Sequence, residues 1–190
     1  MSLFSNPTEQ LIVTNTHYYT GYFNHQTKAQ VINGRTYIVY TKNPTDTPPT
    51  NGASEKSRWR IVMTEDGQTW TEVAAQTSGQ FTSHQGPALL KSGDESKLIL
   101  IFIGDNEQGI YTQDFTVNPT TGALTAGSII TAVSAATPAT YFSGAIDTTN
   151  DNILLCYWNG VSLTYGARRI SGSWQTPFVV GQEETVVQKK

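Results

Sequence analysis

Short apolar segments recur along the chain, and polar turn residues separate them. No segment keeps the i, i+3, i+4, i+7 spacing of an amphipathic helix over three turns, whereas short alternating or continuous apolar runs are typical of strands. Asn-Gly, Asp-Gly and Ser-Gly pairs between the runs predict tight turns. The predicted strands are AQVI (29–32), TYIVYT (36–41), WRIVMT (59–64), TWTEVA (69–74), ALLK (88–91), KLILIFI (97–103), GIYTQDFTV (109–117), GSIITAV (127–133), GAID (144–147), ILLCYW (153–158), SLTYGARRI (162–170) and WQTPFVV (174–180).

These twelve segments form three groups of four, which indicates an internal repeat. His25-Gln26 and His84-Gln85 precede the first two groups at matching places, about 60 residues apart, which is somewhat longer than a kelch-type blade. Tyr141-Phe142 stand at the start of the third group. We therefore predict an all-β fold that is a partial or oligomer-completed β-propeller, with a β-sandwich or jelly roll as the alternative. The predicted blades are 22–76, 81–133 and 140–180 in a single domain of residues 1–190, with arms at both ends.

The stretch TEDGQTW, residues 64–70, lies between the third and fourth strands of the first group. It resembles the Asp box of sialidase-like (BNR) β-propellers, and the matching residues are Thr64, Asp66, Gly67, Thr69 and Trp70. In that family the motif is structural and lies away from the active face. The local chemistry agrees, because Asp66 can accept backbone N–H bonds across the turn and Gly67 can supply a positive φ. A calcium loop would need further oxygen-bearing side chains at alternating positions, and none follow. The stretch ISGSWQTP (170–177) is a weaker relative without the Asp.

Three blades are too few for a closed propeller, which typically has four to eight. An isolated arc would leave apolar sheet faces in water, and such faces favour association. We therefore expect self-association, for example two arcs in a six-bladed ring, or docking on another protein of a larger particle.

Composition narrows the classes of partner. Apolar residues make up 37% of the chain and charged residues 14%, with a net charge of −3. The basic residues are dispersed, so we expect no nucleic-acid partner. The apolar runs are too short to span a bilayer, and the first residues lack the pattern of a secretory signal, so we expect no membrane partner. The single cysteine, Cys156, lies in an apolar strand and is predicted to be a core residue.

The repeated His-Gln pair is the most specific polar feature. In a propeller, the loop before the innermost strand lies on the ligand-binding face, so we predict a neutral-sugar site from hydrogen-bonding and aromatic side chains. The alternative is that each His ties adjacent blades together. The candidate ligand-binding residues are His25, Gln26, His84, Gln85, Tyr141 and Phe142.

The sequence gives no complete catalytic set, so we predict that the protein is not an enzyme. The catalytic arginine motif of sialidases is matched only by Arg169-Ile170, without its aromatic and Pro. A glycosidase needs two facing carboxylates, and nothing singles out a pair. The carboxylates predicted to lie in turns are Asp66, Asp94, Glu95, Asp105, Glu107, Asp147 and Asp151. Histidine and cysteine spacings predict no metal site, and no cofactor motif is present.

We predict a structural or adhesive module of a larger assembly. A β-rich chain high in Thr, Asn, Gly and Gln, with one Cys, resembles bacteriophage tail, fibre or capsid-decoration proteins. The expected location is therefore the virion, with the cytoplasm as the alternative, and the expected docking partner is another virion protein. An oligomeric propeller lectin is the second hypothesis, and a sialidase-like glycoside hydrolase with a site between chains is the third.

Overall fold

The structure is a computed structural model that describes residues 27–42, 57–77, 86–104, 108–161 and 163–182. These residues form β-strands joined by turns and loops. The strands are β1 (Ala29–Ile32), β2 (Arg35–Lys42), β3 (Arg58–Thr64), β4 (Thr71–Ala75), β5 (Ala88–Lys91), β6 (Lys97–Ile103), β7 (Gln108–Val117), β8 (Leu124–Pro138), β9 (Thr140–Asp147), β10 (Asn152–Trp158), β11 (Leu163–Ile170), β12 (Ser173–Trp174) and β13 (Phe178–Gln182). Within these ranges, no helix is long and apolar enough to cross a bilayer.

The strands form three antiparallel sheets in chain order. The first sheet has the order β1-β2-β3-β4, and the second has the order β5-β6-β7-β8. The third has the order β12-β11-β10-β9, and β13 also pairs with β11. All strand pairings are antiparallel, and consecutive strands of the first two sheets are neighbours. The predicted all-β fold of about three four-stranded units is thereby confirmed.

The second sheet is buried on both faces, which makes it the centre of the molecule. Leu98, Leu100 and Phe102 of β6 join a core with the first sheet. Ile99, Ile101 and Ile103 alternate with them and join a core with the third sheet. Successive strand residues point to opposite faces, so this continuous apolar run supplies both cores at once. The three sheets are therefore packed face to face in series.

The first strands of the sheets lie side by side, β1 against β5 and β5 against β9. The Leu89 N–H donates to the Thr27 carbonyl at 2.8 Å, and the Gln30 side-chain amide donates to the Leu89 carbonyl at 2.9 Å. The Lys28 ammonium donates to the Pro87 carbonyl. These bonds hold the innermost edges of the first two sheets together, as expected where blades meet near a propeller axis.

The hairpins at the opposite end of these strands also link neighbouring sheets. The Asn33 N–H donates to the Glu95 carboxylate at 3.1 Å, and the Gly93 N–H donates to the Asp151 carboxylate at 2.9 Å. Arg35 extends from the first sheet to the carbonyls of Pro119 and Thr120 in the β7–β8 turn. We call this the hairpin end of the molecule.

Three strands differ most from the sequence prediction, and one of them, β9, begins at Thr140 and not at the predicted residue 144. β8 runs from Leu124 to Pro138 and is longer than the predicted 127–133, because register irregularities let it follow the whole of β7. The predicted outer strand 174–180 is divided into β12 and β13. Pro177 lies in the gap and has no N–H to donate, which explains the interruption.

Among the residues that the structure describes, the third sheet buries only the face that it turns to the second sheet. On β10, Ile153, Leu155 and Tyr157 are buried in the shared core. On the other face Leu154 is 43% exposed, and Cys156 is only half-buried. The prediction of Cys156 as a core residue is therefore wrong, because it points away from the core. We call this side of the third sheet the open face, and it carries the exposed side chains Tyr141, Leu154, Arg168 and Phe178.

Candidate functional site

The predicted His-Gln loops lie directly before the described strands. His25, Gln26, His84 and Gln85 are outside the described residues, which begin at Thr27 and resume at Gly86. The described neighbours Thr27 and Leu89 are bonded to each other, so the two sequence segments lead to adjacent inner strands. The proposed sugar contacts of these four residues remain a prediction.

Tyr141 and Phe142 stand at the start of the third inner strand and have different roles. Phe142 is 1% exposed and belongs to the core between the second and third sheets. Its predicted contribution to a binding surface is wrong, because its ring points into the core. Tyr141 is 46% exposed and has a φ of 49°. Tyr141 is therefore the described member of the candidate set that presents a ring at the surface.

Trp158 at the end of β10 stacks on Tyr141, with ring centroids 6.1 Å apart and planes at 20°. A register irregularity occurs here, since Tyr157 pairs with Phe142 while Trp158 pairs with Thr140. Tyr141 is the extra residue, and such a bulge redirects a side chain. Trp158 was not among the residues predicted from the sequence to bind a ligand. Its alternation with the buried Ile153, Leu155 and Tyr157 is the signal that could have placed it on the opposite face.

Residues 64–69 form a compact turn around one carboxylate oxygen. Asp66 Oδ1 accepts the N–H groups of Gln68 and Thr69, each at 2.8 Å, and the Thr64 hydroxyl at 3.0 Å. Gly67 has a φ of 72° and donates its N–H to the Thr64 hydroxyl oxygen. The Thr69 and Gln68 N–H groups, with the Thr64 hydroxyl, lower the pKa of Asp66 to about 2.

Other carboxylates in turns also accept hydrogen bonds from neighbouring residues. The Ser92 hydroxyl and the Ser96 N–H lower the pKa of Asp94 to about 2. The Lys91 ammonium and the Asn33 N–H lower the pKa of Glu95, and the Thr149 N–H lowers that of Asp147. Asp105 and Glu107 lie outside the described residues. These shifts favour ionised carboxylates, whereas a glycosidase acid needs a raised pKa.

Arg169, which matched part of the sialidase arginine motif, forms an ion pair within the protein. Its guanidinium donates to both Asp114 oxygens, at 2.8 and 2.6 Å. Arg35 likewise pairs with Glu65, and Arg60 with Glu72. In the described ranges, no group of three His, Cys, Asp or Glu side chains is placed to hold a metal ion.

The open face has a shallow groove of about 450 Å³ near the hairpin end. Its lining includes Ala145, Leu154, Arg168 and Ile170. Farther along the face, the Phe178 ring covers Gly166, and the Arg168 guanidinium lies 4.8 Å from the centre of that ring. The groove is more suited to a packing contact than to chemistry, because apolar side chains form most of its exposed wall.

Comparison with solved structures identifies β-propeller proteins. The lectin of Aleuria aurantia, in an N224Q mutant bound to Fucα1-6GlcNAc, matches with a TM-score of 0.50 and 16% identity, covering 78% of this chain and 40% of the lectin. That lectin has a six-bladed β-propeller fold. The Podospora anserina α-L-arabinofuranosidase in complex with cellotriose matches with a TM-score of 0.52 and 9% identity, covering 90% of this chain and 53% of the enzyme. The catalytic domain of the Coprinopsis cinerea GH62 enzyme matches with a TM-score of 0.50 and 10% identity, covering 83% of this chain and 51% of that domain.

These matches establish the fold alone, because all the identities are low. This chain spans between 40% and 53% of the length of the proteins named above. No protein-family model matches the sequence, and no curated protein sequence is similar to it. The three sheets are therefore three blades of a β-propeller, and the chain matches only part of each of these propeller proteins.

Proposed function

We propose that this chain is a non-catalytic adhesive module that binds carbohydrate as part of a larger β-propeller assembly. The open face of the third sheet is the observation that carries the proposal. The second sheet is covered on both of its faces, whereas Leu154, Ile170 and Phe178 of the third sheet are 43%, 43% and 37% exposed. Apolar side chains on the flat face of a blade are expected to pack against another blade. The partner that supplies it is a second copy or another protein of the assembly.

The described carboxylates support a non-catalytic role. Asp66, Asp94, Asp147 and Glu95 hold turns and have lowered pKa values, and Asp114 is paired with Arg169. A retaining or inverting glycosidase requires one protonated and one ionised carboxyl group facing the same substrate bond. Engagement of these groups in turns and ion pairs favours binding over turnover.

Carbohydrate binding is supported by the exposed aromatic surface at Tyr141 and by the fold shared with a fucose-binding lectin. The His-Gln pairs would add hydrogen-bonding groups at the same end of the inner strands. The TEDGQTW turn supports kinship with Asp-box propellers, since Asp66 and Gly67 adopt the expected turn geometry.

A bacteriophage virion is the setting that we propose for this assembly. The support is compositional: a Thr- and Asn-rich β chain with one cysteine and few charged residues resembles tail, fibre and decoration proteins. Immunogold labelling of intact phage particles with an antibody to this chain tests this setting. Labelling of the producing cell's cytoplasm without any labelling of particles would contradict it.

The assembly itself is tested by light scattering on a sizing column. We expect the wild-type protein to exceed the mass of one chain at micromolar concentration or to bind a hydrophobic dye. Leu154→Asp should reduce both the mass in solution and the dye binding, because it places a charge on the open face. Ile129→Asp is the matched control, since Ile129 is 45% exposed but lies on the second sheet. A protein that remains at the mass of one chain and binds no dye contradicts the proposal.

A self-assembled propeller lectin is the second candidate. The stacked and accessible pair Tyr141 and Trp158 favours it, because a lectin needs an exposed aromatic surface but no acid or base. A stable dimer that binds a glycan array would support this form of the proposal. Hydrolysis of chromogenic glycosides would instead favour a glycosidase whose site is completed between chains.

A further inference from the structure

Among the described residues, five non-glycine residues have a positive φ. Four of them, Asn33, Glu95, Asp151 and Ser171, are polar and lie in hairpin turns. Tyr141 differs because it is a bulky aromatic residue within strand β9. A positive φ is unfavourable for such a residue, and strained positions of this kind cluster at functional sites.

The irregularity at Tyr141 gives its ring a defined position. Because Tyr141 is the extra residue at the β9–β10 irregularity, its side chain lies over Trp158 and not in the core. The contrast with Tyr157 and Tyr165 is informative. Those two rings also stack, at 5.5 Å and 16°, but Tyr157 is 2% exposed and packs within the core. Tyr141 is 46% exposed, so burial does not account for its placement.

Neutral hydroxyl groups accompany the aromatic pair on the open face. Trp158 pairs with Thr164 across β10 and β11, and the next residue of β10 on this face, Cys156, pairs with Ser143 on β9. Residues paired in register share one face of a sheet, so Ser143 and Thr164 are on the same side as Trp158. Aromatic rings contact the C–H faces of sugars, and hydroxyl groups bond to sugar hydroxyls.

The loop beside Trp158 is well braced. Asn159 Oδ1 accepts the N–H groups of Val161 and Leu163, both at 3.0 Å, and the Asn159 N–H donates to the Leu163 carbonyl. This loop lies opposite the hairpin end, where β9 begins and β10 ends. A braced loop and a fixed ring reduce the conformational freedom that a ligand would otherwise have to restrict.

We propose that Tyr141 and Trp158 form the stacking surface of a neutral-saccharide site, which we call the aromatic platform. The platform takes an uncharged pyranose ring, with Ser143 and Thr164 as its flanking hydroxyl groups. This inference rests on the proposed carbohydrate-binding function and places its site on the third sheet, at Trp158 and not at Phe142. The platform lies where β9 begins and β10 ends, at the opposite end of the open face from the groove on which another blade is expected to pack.

The test is a binding titration with methyl glycosides of glucose, galactose and N-acetylglucosamine, and with methyl sialoside as the charged comparison. Saturation-transfer NMR and tryptophan fluorescence report binding. We expect saturable millimolar binding of at least one neutral glycoside and weaker binding of the sialoside. Loss of one aromatic ring should weaken binding roughly tenfold, the equivalent of the upper range for a ring contact.

Four variants distinguish a loss of sugar binding from a loss of folding. Tyr141→Asn removes the ring but keeps a residue that tolerates positive φ, so the variant should fold at least as well and bind weakly. Trp158→Ala should weaken binding similarly, and Tyr141→Phe should retain it. Val161→Ser is the control, because Val161 is 73% exposed in the adjacent loop and lies outside the platform.

The outcomes distinguish two kinds of failure. If the wild-type protein binds a glycoside and folded Tyr141→Asn binds it equally well, the platform is overturned while the carbohydrate-binding function stands. If the wild-type protein binds no glycoside in the panel and none on a glycan array, both proposals fail. Binding that is lost in Tyr141→Asn and Trp158→Ala but kept in Val161→Ser supports the platform.

Discussion

Arg169 of β11 and Asp114 of β7 form two parallel hydrogen bonds, at 2.8 and 2.6 Å, that join the third sheet to the second. Their side chains are 11% and 25% exposed, so water screens the pair only partly. Bidentate geometry of this kind fixes orientation as well as distance. The nearby Trp174 indole donates to the Thr112 hydroxyl at 3.2 Å, which adds a second polar link between the same sheets.

Replacing Arg169 with Ala should destabilise the protein by about 1.5–3 kcal/mol, because Asp114 would lose both of its hydrogen bonds to the guanidinium. Urea denaturation measures the change. Arg168→Ala is the matched control on the exposed face and should cost only about 0.5–1 kcal/mol through the lost contact with Phe178. Arg169→Lys should recover part of the lost stability, since lysine restores the positive charge but cannot form the two parallel hydrogen bonds of the guanidinium. Equal effects of the Arg168 and Arg169 variants would argue against an anchoring role.

Asp66→Ala should lower the unfolding midpoint, since two backbone N–H groups and one hydroxyl lose their acceptor. Asp66→Asn should be milder at neutral pH, because an amide oxygen can still accept. The pKa of Asp66 is lowered to about 2 in the folded state. Its charged form therefore adds stability above the unfolded pKa, and this contribution is lost as pH falls from about 4 towards about 2.

The Asn variant should lack that acidic portion of the pH dependence. Thermal melts of the wild type and Asp66→Asn, compared between about pH 5 and pH 2.5, measure the difference. Asp94 titrates in the same range in both proteins and serves as an internal background. Parallel curves for the two proteins would show that the turn does not depend on the charge.

Gly93→Ala should disrupt the contact between the second and third sheets. A Cβ on Gly93 would lie 1.7 Å from the Thr148 carbonyl oxygen, which belongs to the backbone and cannot rotate away. We expect a loss of at least about 2 kcal/mol, since the hairpin must shift and the bond from Gly93 to Asp151 would weaken. Gly181→Ala is the control, because a Cβ there meets nothing within 4 Å. Chemical denaturation of both variants tests the prediction, and similar stabilities would contradict the close approach.

Lys28 should make the stability of the folded protein depend on pH in the alkaline range. Burial lowers the pKa of its ammonium to about 7 in the folded protein, from 10.5. Between about pH 7 and pH 10 the unfolded chain therefore binds more protons, and stability should rise with pH. Lys28→Met should flatten this rise, as measured by urea denaturation between about pH 7 and pH 9, below the range in which tyrosines ionise. A wild-type protein with no such rise would show that Lys28 stays charged.

The strands and the turns were predictable from local pattern. Alternation places Trp59 in the core and Arg58 and Arg60 on the other face, and the Asn33-Gly34 turn has the two positive φ values that this pair favours. Contacts between sheets were harder to predict from the sequence. Neither the Arg169–Asp114 pair nor the Gly93–Thr148 approach follows from spacing, since both depend on how separate hairpins meet.

The candidate site was only partly predictable for a related reason. Tyr141 was selected from the repeat, but Phe142 beside it was assigned to the surface, because the sequence does not show which of two adjacent aromatics points inward. One extra residue in β9 decides this, since it moves Tyr141 over Trp158 and leaves Phe142 in the core. A bulge of this kind has no reliable local signature.

Cys156 lies between Leu154 and Trp158 on the open face, and it is the only cysteine in the chain. A thiol-reactive label can therefore be attached at one position without competing sites. Its rate of reaction should report directly on coverage of the third sheet, because a blade packed there would shield the sulfur while leaving the two internal cores unchanged. A label at Cys156 thus reports whether another blade covers the third sheet. This signal requires neither a mass measurement nor a ligand.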